Sequence, residues 1–135
     1  MDKIHFQLST ADGAVCDEMV NYVSVPAENG DLGILADHAP MAVSLREGVV
    51  KYKLGSEEHF AAISGGVLSV SKNELIILAR SAEKAENIDI ARAQASEKRA
   101  KQRIGDKQSG NDMLRAEFSL RRALAREKAY YSIHR

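Results

Sequence analysis

The chain changes grammar at Arg80, and that change constrains its fold more than any other feature. Up to about Ala79, short β-prone runs alternate with turn residues: IHFQL, TADGA, VNYVSVPA, ENGDLG, VSLREGVVKYKL, GSEE, HFAAI, SGG, VLSV, SKN and ELIILA. Short strands punctuated regularly by Gly, Asn, Asp and Ser build antiparallel sandwiches or barrels. Within VKYKL, Val50, Tyr52 and Leu54 alternate with Lys51 and Lys53, the period of a strand with one face in water. Beyond Arg80 proline is absent, β-branched residues thin out, and Ala, Arg, Lys and Glu dominate. That is the composition of helices.

Two helices fit the second half. Asn87 or Asp89 is placed to cap a first helix ending near Ile104; GDKQSGND breaks the chain; Asn111 or Asp112 is placed to cap a second running to about Ile133. At about 100° per residue, Ile90, Ala93, Ala100 and Ile104 form one narrow stripe, and Met113, Ala116, Leu120, Ala123 and Leu124 form another. Two alanine-rich seams pack closely but bury little area. Apolar burial yields only about 25 cal/mol per Å², so such a hairpin is marginally stable by itself and is a candidate moving part. The expected fold is β plus α: an N-terminal antiparallel β-sandwich over residues 1–82, then a C-terminal two-helix hairpin over residues 83–135.

At 135 residues the chain is long enough for one real core. Its net charge of zero hides two opposite halves. Residues 1–80 carry 6 basic and 11 acidic side chains, a net of −5, while residues 81–135 carry 13 and 8, a net of +5. Such an asymmetry points to an acidic partner for the basic half. The single cysteine, Cys16, excludes an internal disulfide and a multi-cysteine zinc site, which suits a reducing compartment. MDKIHFQLST lacks the basic and apolar regions of an export signal, and no apolar run approaches the roughly 20 residues of a bilayer span. A soluble protein with no direct membrane insertion is expected.

Catalytic motifs are missing. No G-x-x-x-x-G-K-[ST] loop occurs, GDLG and SGGV fall short of G-x-G-x-x-G, and no serine sits in G-x-S-x-G. The glycines of GDLG and SGGV read as turn residues that need positive φ. His5, His38, His59 and His134 are scattered, with no H-E-x-x-H pair. His38, in DHAP, reads as a loop residue hydrogen-bonded to its surroundings or solvated. No catalytic residue, metal site or catalytic cofactor is expected.

The stretch IDIARA, residues 88–93, admits two readings. Asp89 and Arg92 are three positions apart, the spacing of an exposed helical ion pair that contributes about 0.2–0.5 kcal/mol. They also stand where a helix begins, with Ser96, Arg99 and Arg103 on the same side of the first seam. Guanidinium forks in that arrangement suit the phosphates of a polyanion, and the carboxylate suits an adenine amine or a ribose hydroxyl. On the second helix, Arg115, Arg122 and Arg126 share a stripe set apart from its seam. Spacing alone leaves both readings open.

Nearly the whole chain resembles the epsilon subunits of bacterial F-type ATP synthases. The resemblance runs in order through VSVPAENGDLGILADHAP (residues 23–40), AISGGVLSV (62–70), ELIILARSAEKAENID (74–89) and RAEFSLRRALAR (115–126). In that family IDIARA looks like the ATP-binding motif, which implies a nucleotide site at Ile88, Asp89, Arg92 and Ala93. RAEFSLRRALAR places Arg122 and Arg126 where the family's second helix supplies further arginines. Arg99 and Glu83 join the site for their nearness in the helical projection and in the chain.

The resemblance implies a non-catalytic rotor subunit at the cytoplasmic face of the cell membrane, held peripherally within the complex. Its sandwich would couple the gamma subunit to the c-ring. Its helix pair would be compact with ATP bound as a regulatory ligand, or extended into the hexamer of alpha and beta subunits, where it obstructs ATP hydrolysis. The +5 half would then meet an acidic loop of beta. SGGV departs from relatives that carry an aromatic after the paired glycines, and the Tyr130, Tyr131 and His134 tail has no assigned role. Two other readings remain: a purely structural rotor subunit without functional ATP binding, and a basic helical module that binds nucleic acid. Against the latter, no aromatic lies among the first-helix arginines and the β half is acidic.

Overall fold

In IHFQL every second residue from Ile4 is apolar, and Ile4, Phe6 and Leu8 are fully buried. That alternation fixes which face of the first strand meets the core. The computed structural model describes residues 2–106 and 110–134, and of Asn111 the backbone alone. Its strands are β1 Ile4–Thr10, β2 Gly13–Val20, β3 Tyr22–Ala27, β4 Gly30–Leu35, β5 Met41–Leu54, β6 Glu57–Ser71, β7 Glu74–Ala79 and β8 Ala82–Lys84. A single 3-10 turn, Ala85–Asn87, leads to the helices α1 Ile90–Gly105 and α2 Gly110–Ile133.

The hydrogen-bonded path runs β2-β1-β7-β6-β5-β3-β4, with β8 added to β6. It folds back on itself as a sandwich, because β2 at one end lies against β5 and Phe6 of β1 meets Tyr52 of β5 with ring centroids 5.0 Å apart. One core results, drawn from seven strands and including Val25, Ile34, Leu68, Leu75 and Ile77. The pairs are antiparallel except β1 with β7, which run parallel. Parallel neighbours need a long crossover, and here everything between β1 and β7 supplies it.

Three segments differ from expectation. GAVCDEMV, not anticipated as a strand, is β2; its central Asp17 and Glu18 hide the pattern, although Cys16 and Val20 are buried. ENGDLG, read as a loop, opens β4, whose register against β3 runs from Ala27↔Gly30 to Tyr22↔Leu35. Gly30 turns the chain at φ +129°, whereas Gly33 is needed for space: a Cβ there would lie 2.7 Å from the Tyr22 hydroxyl. SGG is no turn but part of β6, where a Cβ on Gly66 would lie 2.8 Å from the Ala79 Cα. His38, as expected, engages its surroundings: its Nδ1 lies 2.7 Å from the Ala39 carbonyl oxygen.

The helices pack in series. α1 lies on α2, and α2 lies on β5, β6 and the 3-10 turn. Ala93, Ala100, Ala116 and Ala123 are buried as the seams predict, but Leu124 is 44% exposed. In its place Ala125 and Ala129 are buried against Ala62, Ala85 and Ile88. α2 carries two apolar faces, one for α1 and one for the sheet, and Leu124 falls on neither. α2 is already helical at Gly110, so Asn111 and Asp112 lie within it, and Lys107, Gln108 and Ser109 of the expected break GDKQSGND lie outside the described residues. The division expected after residue 82 falls inside β8.

Candidate functional site

Asp89 begins α1. Its backbone is extended, at φ −85° and ψ 102°, and its carboxylate Oδ1 accepts a hydrogen bond from the Arg92 N–H at 3.1 Å. This is an N-cap, satisfying one of the amides that a helix leaves free at its start. The pair therefore does not take the form of a side-chain ion pair: among the described residues no guanidinium reaches Asp89. The Arg92 side chain is left free to point elsewhere.

It lines a cavity of about 320 Å³ at the junction of α1, α2 and the sheet. Arg92 and Arg99 come from α1 and Arg122 and Arg126 from α2, with Asp89, Ala93 and Ser96 beside them and Glu83 opposite on β8. Helical geometry explains the convergence. On α1 the arginines lie to one side of the Ala93–Ala100 seam, and on α2 Arg122 and Arg126 lie between the face for α1 and the face for the sheet. Both sets must point into the angle that the three elements enclose.

Four guanidinium groups thus face two carboxylates. Arg126 Nε lies 3.4 Å from Glu83 Oε1, both side chains being partly exposed. Arg99 donates to Ser96 Oγ at 3.1 Å and Arg122 to Ser119 Oγ at 3.0 Å, each to a neutral hydroxyl one turn back on its own helix. No acceptor among the described residues reaches the Arg92 guanidinium. The excess is cationic, its donors come from two separate helices, and the first turn of α1 adds the positive end of a helix dipole. Chemically the arrangement suits a multiply charged anion with polar groups at one end.

Of the residues singled out from the sequence, Glu83, Asp89, Arg92, Ala93, Arg99, Arg122 and Arg126 line this one cavity. Ile88 does not; it is buried beneath α2 with Ala125 and Ala129 and anchors the segment that positions Asp89. Arg103 and Arg115 also lie outside the lining. The wall formed by Ala62, Ile63, Ser64, Ser81 and Ala82 was not anticipated. Ser81 Oγ, in the bend between β7 and β8, donates to Ser64 Oγ of β6 at 2.7 Å, and no local pattern announces a pairing between residues so far apart in the chain.

A chain with a sandwich, a helix pair and a basic cleft between them defines a class, and comparison with known proteins identifies it. Residues 3–85 match the family described as ATP synthase, Delta/Epsilon chain, beta-sandwich domain, and residues 86–130 match ATP synthase, Delta/Epsilon chain, long alpha-helix domain. The chain belongs to the ATP synthase delta/epsilon family. It is similar to the ATP synthase epsilon chain of Bacillus velezensis, 43% identical over 126 residues that cover 93% of this chain and 96% of that one. The epsilon chain of Dehalococcoides mccartyi is 42% identical over 129 residues, covering 95% and 92%. This chain is thus of the epsilon kind, a subunit of ATP synthase.

The fold agrees with a chain in the mitochondrial ATP synthase of Euglena gracilis, solved with OSCP, F1 and c-ring, at a TM-score of 0.84 and 21% identity over 96% of this chain and 82% of that one. A chain in the central stalk and c-ring of the Tetrahymena thermophila mitochondrial enzyme gives a TM-score of 0.64 at 14% identity, over 96% and 97%. Among the described residues no helix is long and apolar enough to cross a membrane.

Proposed function

We propose that this subunit couples gamma to the c-ring through its sandwich and senses ATP through the cleft between its helices. The observation that carries the second part is the convergence of Arg92, Arg99, Arg122 and Arg126, two from each helix, on one cavity capped by Asp89. Phosphates bridging the two helices would hold α1 on α2, with the adenine amine or ribose hydroxyl turned to Asp89 or Glu83. The complexes in which similar folds occur, with c-ring and central stalk, support the coupling role; in that role the subunit would sit peripherally at the membrane, on the cytoplasmic side.

ATP favours the compact state only by binding it better than the alternative. In an extended state α1 leaves α2, the cavity is lost, and with it the difference in affinity that drives the equilibrium. Charge-assisted hydrogen bonds contribute about 1.5–3 kcal/mol each, enough to decide the state of a hairpin held by alanines. Extended, the +5 half would enter the hexamer of alpha and beta subunits, meet acidic surface on beta, and obstruct hydrolysis.

A purely structural role has one observation in its favour. α2 is tied to the sheet by Arg121 Nε to Glu47 Oε1 at 2.9 Å as well as by Arg126 to Glu83, so the hairpin has fixings that need no ligand. Calorimetric titration of the whole chain with ATP separates the two readings. Heat of binding at millimolar nucleotide, lost when Arg92 and Arg122 are both replaced by alanine, is the expected result. No heat from the unaltered chain leaves the structural role.

A further inference from the structure

On the other side of the α1–α2 seam from the arginines, two carboxyl groups face each other. Glu97 of α1 and Glu127 of α2 meet side chain to side chain. Neither carboxylate owns a donor. If both are ionised the contact joins acceptor to acceptor, and Glu127 Oε2, which is buried, has no hydrogen-bond partner at all. A single proton between them converts the contact into a bond. Lys101, one turn along α1, holds Glu97 with Nζ 2.7 Å from Oε2, so Glu97 keeps its charge and the proton belongs on Glu127.

We propose that Glu97 and Glu127 share one proton across the helix seam and that this proton is a pH-sensitive latch on the hairpin. Burial is the largest cause that raises Glu127, to about 7, followed by its hydrogen bond and repulsion from Glu97; the bonds with Lys101 and Glu127 lower Glu97 below its ordinary 4.5. The groups acting on Glu127 are thus Glu97 and Lys101, both on α1. The other elements under α2 bring Glu47, paired with Arg121; Lys51 and Glu58, paired together; His59 beside Glu57; Glu83, paired with Arg126; and Glu86. None of these shifts it.

The signs follow from linkage. A carboxyl raised in the packed hairpin stabilises it at low pH, and that contribution is lost as pH rises from 4.5 to about 7. A carboxyl lowered in the packed hairpin stabilises it above 4.5, and that contribution is lost as pH falls through its depressed value. The singly protonated pair therefore favours packing most between the two steps. Alkalinisation through neutrality removes the proton, sets two charges against each other at a seam made of alanines, and releases α1. On the compact and extended states proposed above, this makes high pH push toward the extended, obstructing form.

Hydrogen exchange of the whole chain without nucleotide tests the latch separately from ATP binding. After correction for intrinsic exchange, the opening equilibrium of α1 amides should rise about tenfold from about pH 5.5 to about pH 8.5, while β1 and β7 amides stay level. Glu127→Gln supplies a permanent amide donor to Glu97 and should abolish the rise. Glu97→Gln removes the facing charge and should shrink the rise while leaving the part that burial of Glu127 contributes, and either variant tests the latch if the other fails to fold. Opening of α1 that does not change with pH in the unaltered chain overturns the proposal, as does a rise of wild-type size in the folded variants.

Discussion

Arg126 of α2 stands with its Nε 3.4 Å from Oε1 of Glu83 on β8, so one of the four cavity arginines is already engaged by the sheet. The contact joins α2 to β8, the last strand before the helices. It also holds a guanidinium at the cavity wall by a bond weak enough to exchange for a phosphate.

Replacing Arg126 by alanine should therefore separate affinity from stability. A partly exposed ion pair contributes less than about 1 kcal/mol, so urea unfolding should shift little. Loss of a charged donor should lower ATP affinity by about tenfold or more, since such a bond contributes about 1.5–3 kcal/mol. Unchanged heat of ATP binding would remove Arg126 from the site.

Asp89 has one duty that the structure shows and a second that the proposed nucleotide site would add. As the N-cap of α1 it accepts from the Arg92 amide, and its loss to alanine should cost about 1 kcal/mol and some helicity. The fold is therefore not indifferent to Asp89→Ala, contrary to what a bare surface pair implies. Asp89→Asn keeps a capping oxygen, so its circular dichroism should match the unaltered chain. If Asn and Ala lose equal helicity, the cap is not what begins this helix.

The sandwich was legible because burial alternates in the sequence, as in Ile4, Phe6 and Leu8. Strands with charge in mid-run, such as β2, or with glycine at close contacts, such as β4 and the Gly65–Gly66 step of β6, were not. Their pairing depends on neighbours from elsewhere in the chain. The helical side of the cavity could be projected from residue spacing, because a helix converts spacing directly into direction. The wall of Ser64 and Ser81 could not, since strand register decides it. Leu124 shows the same limit: one stripe was read on α2 where packing uses two.

Gly66 tests that reading of the glycines. Its φ is +157° and an added Cβ would lie 2.8 Å from the backbone of Ala79, on a strand with no slack between β5 and β7. Gly66→Ala should destabilise the β domain by about 2 kcal/mol or more, the scale of overpacking combined with backbone strain. Gly55→Ala meets nothing within 4 Å but also has positive φ, at +64°, so it should cost less, about 1 kcal/mol. Equal losses in chemical denaturation would show that space at Gly66 is not limiting.

A chain ending after Lys84 asks whether the sandwich stands without the helix pair. Its main core, from Ile4 to Ala79, contains no residue of either helix, and stopping after Lys84 keeps the whole of β8 on β6 through Ala61↔Lys84 and Ile63↔Ala82. What it loses is the cover of Ala125 and Ala129 over Ala62, with Val49 and Phe60 beside it. That patch is small and its removed contacts are mostly alanine, so at about 25 cal/mol per Å² the loss is minor beside the retained core. The shortened chain should unfold cooperatively and still join the assembled synthase. With the basic hairpin gone, ATP hydrolysis by that complex should rise. A non-cooperative melt would mean that α2 is part of the core, while a stable shortened chain with unchanged hydrolysis would mean that the hairpin does not obstruct the catalytic subunits.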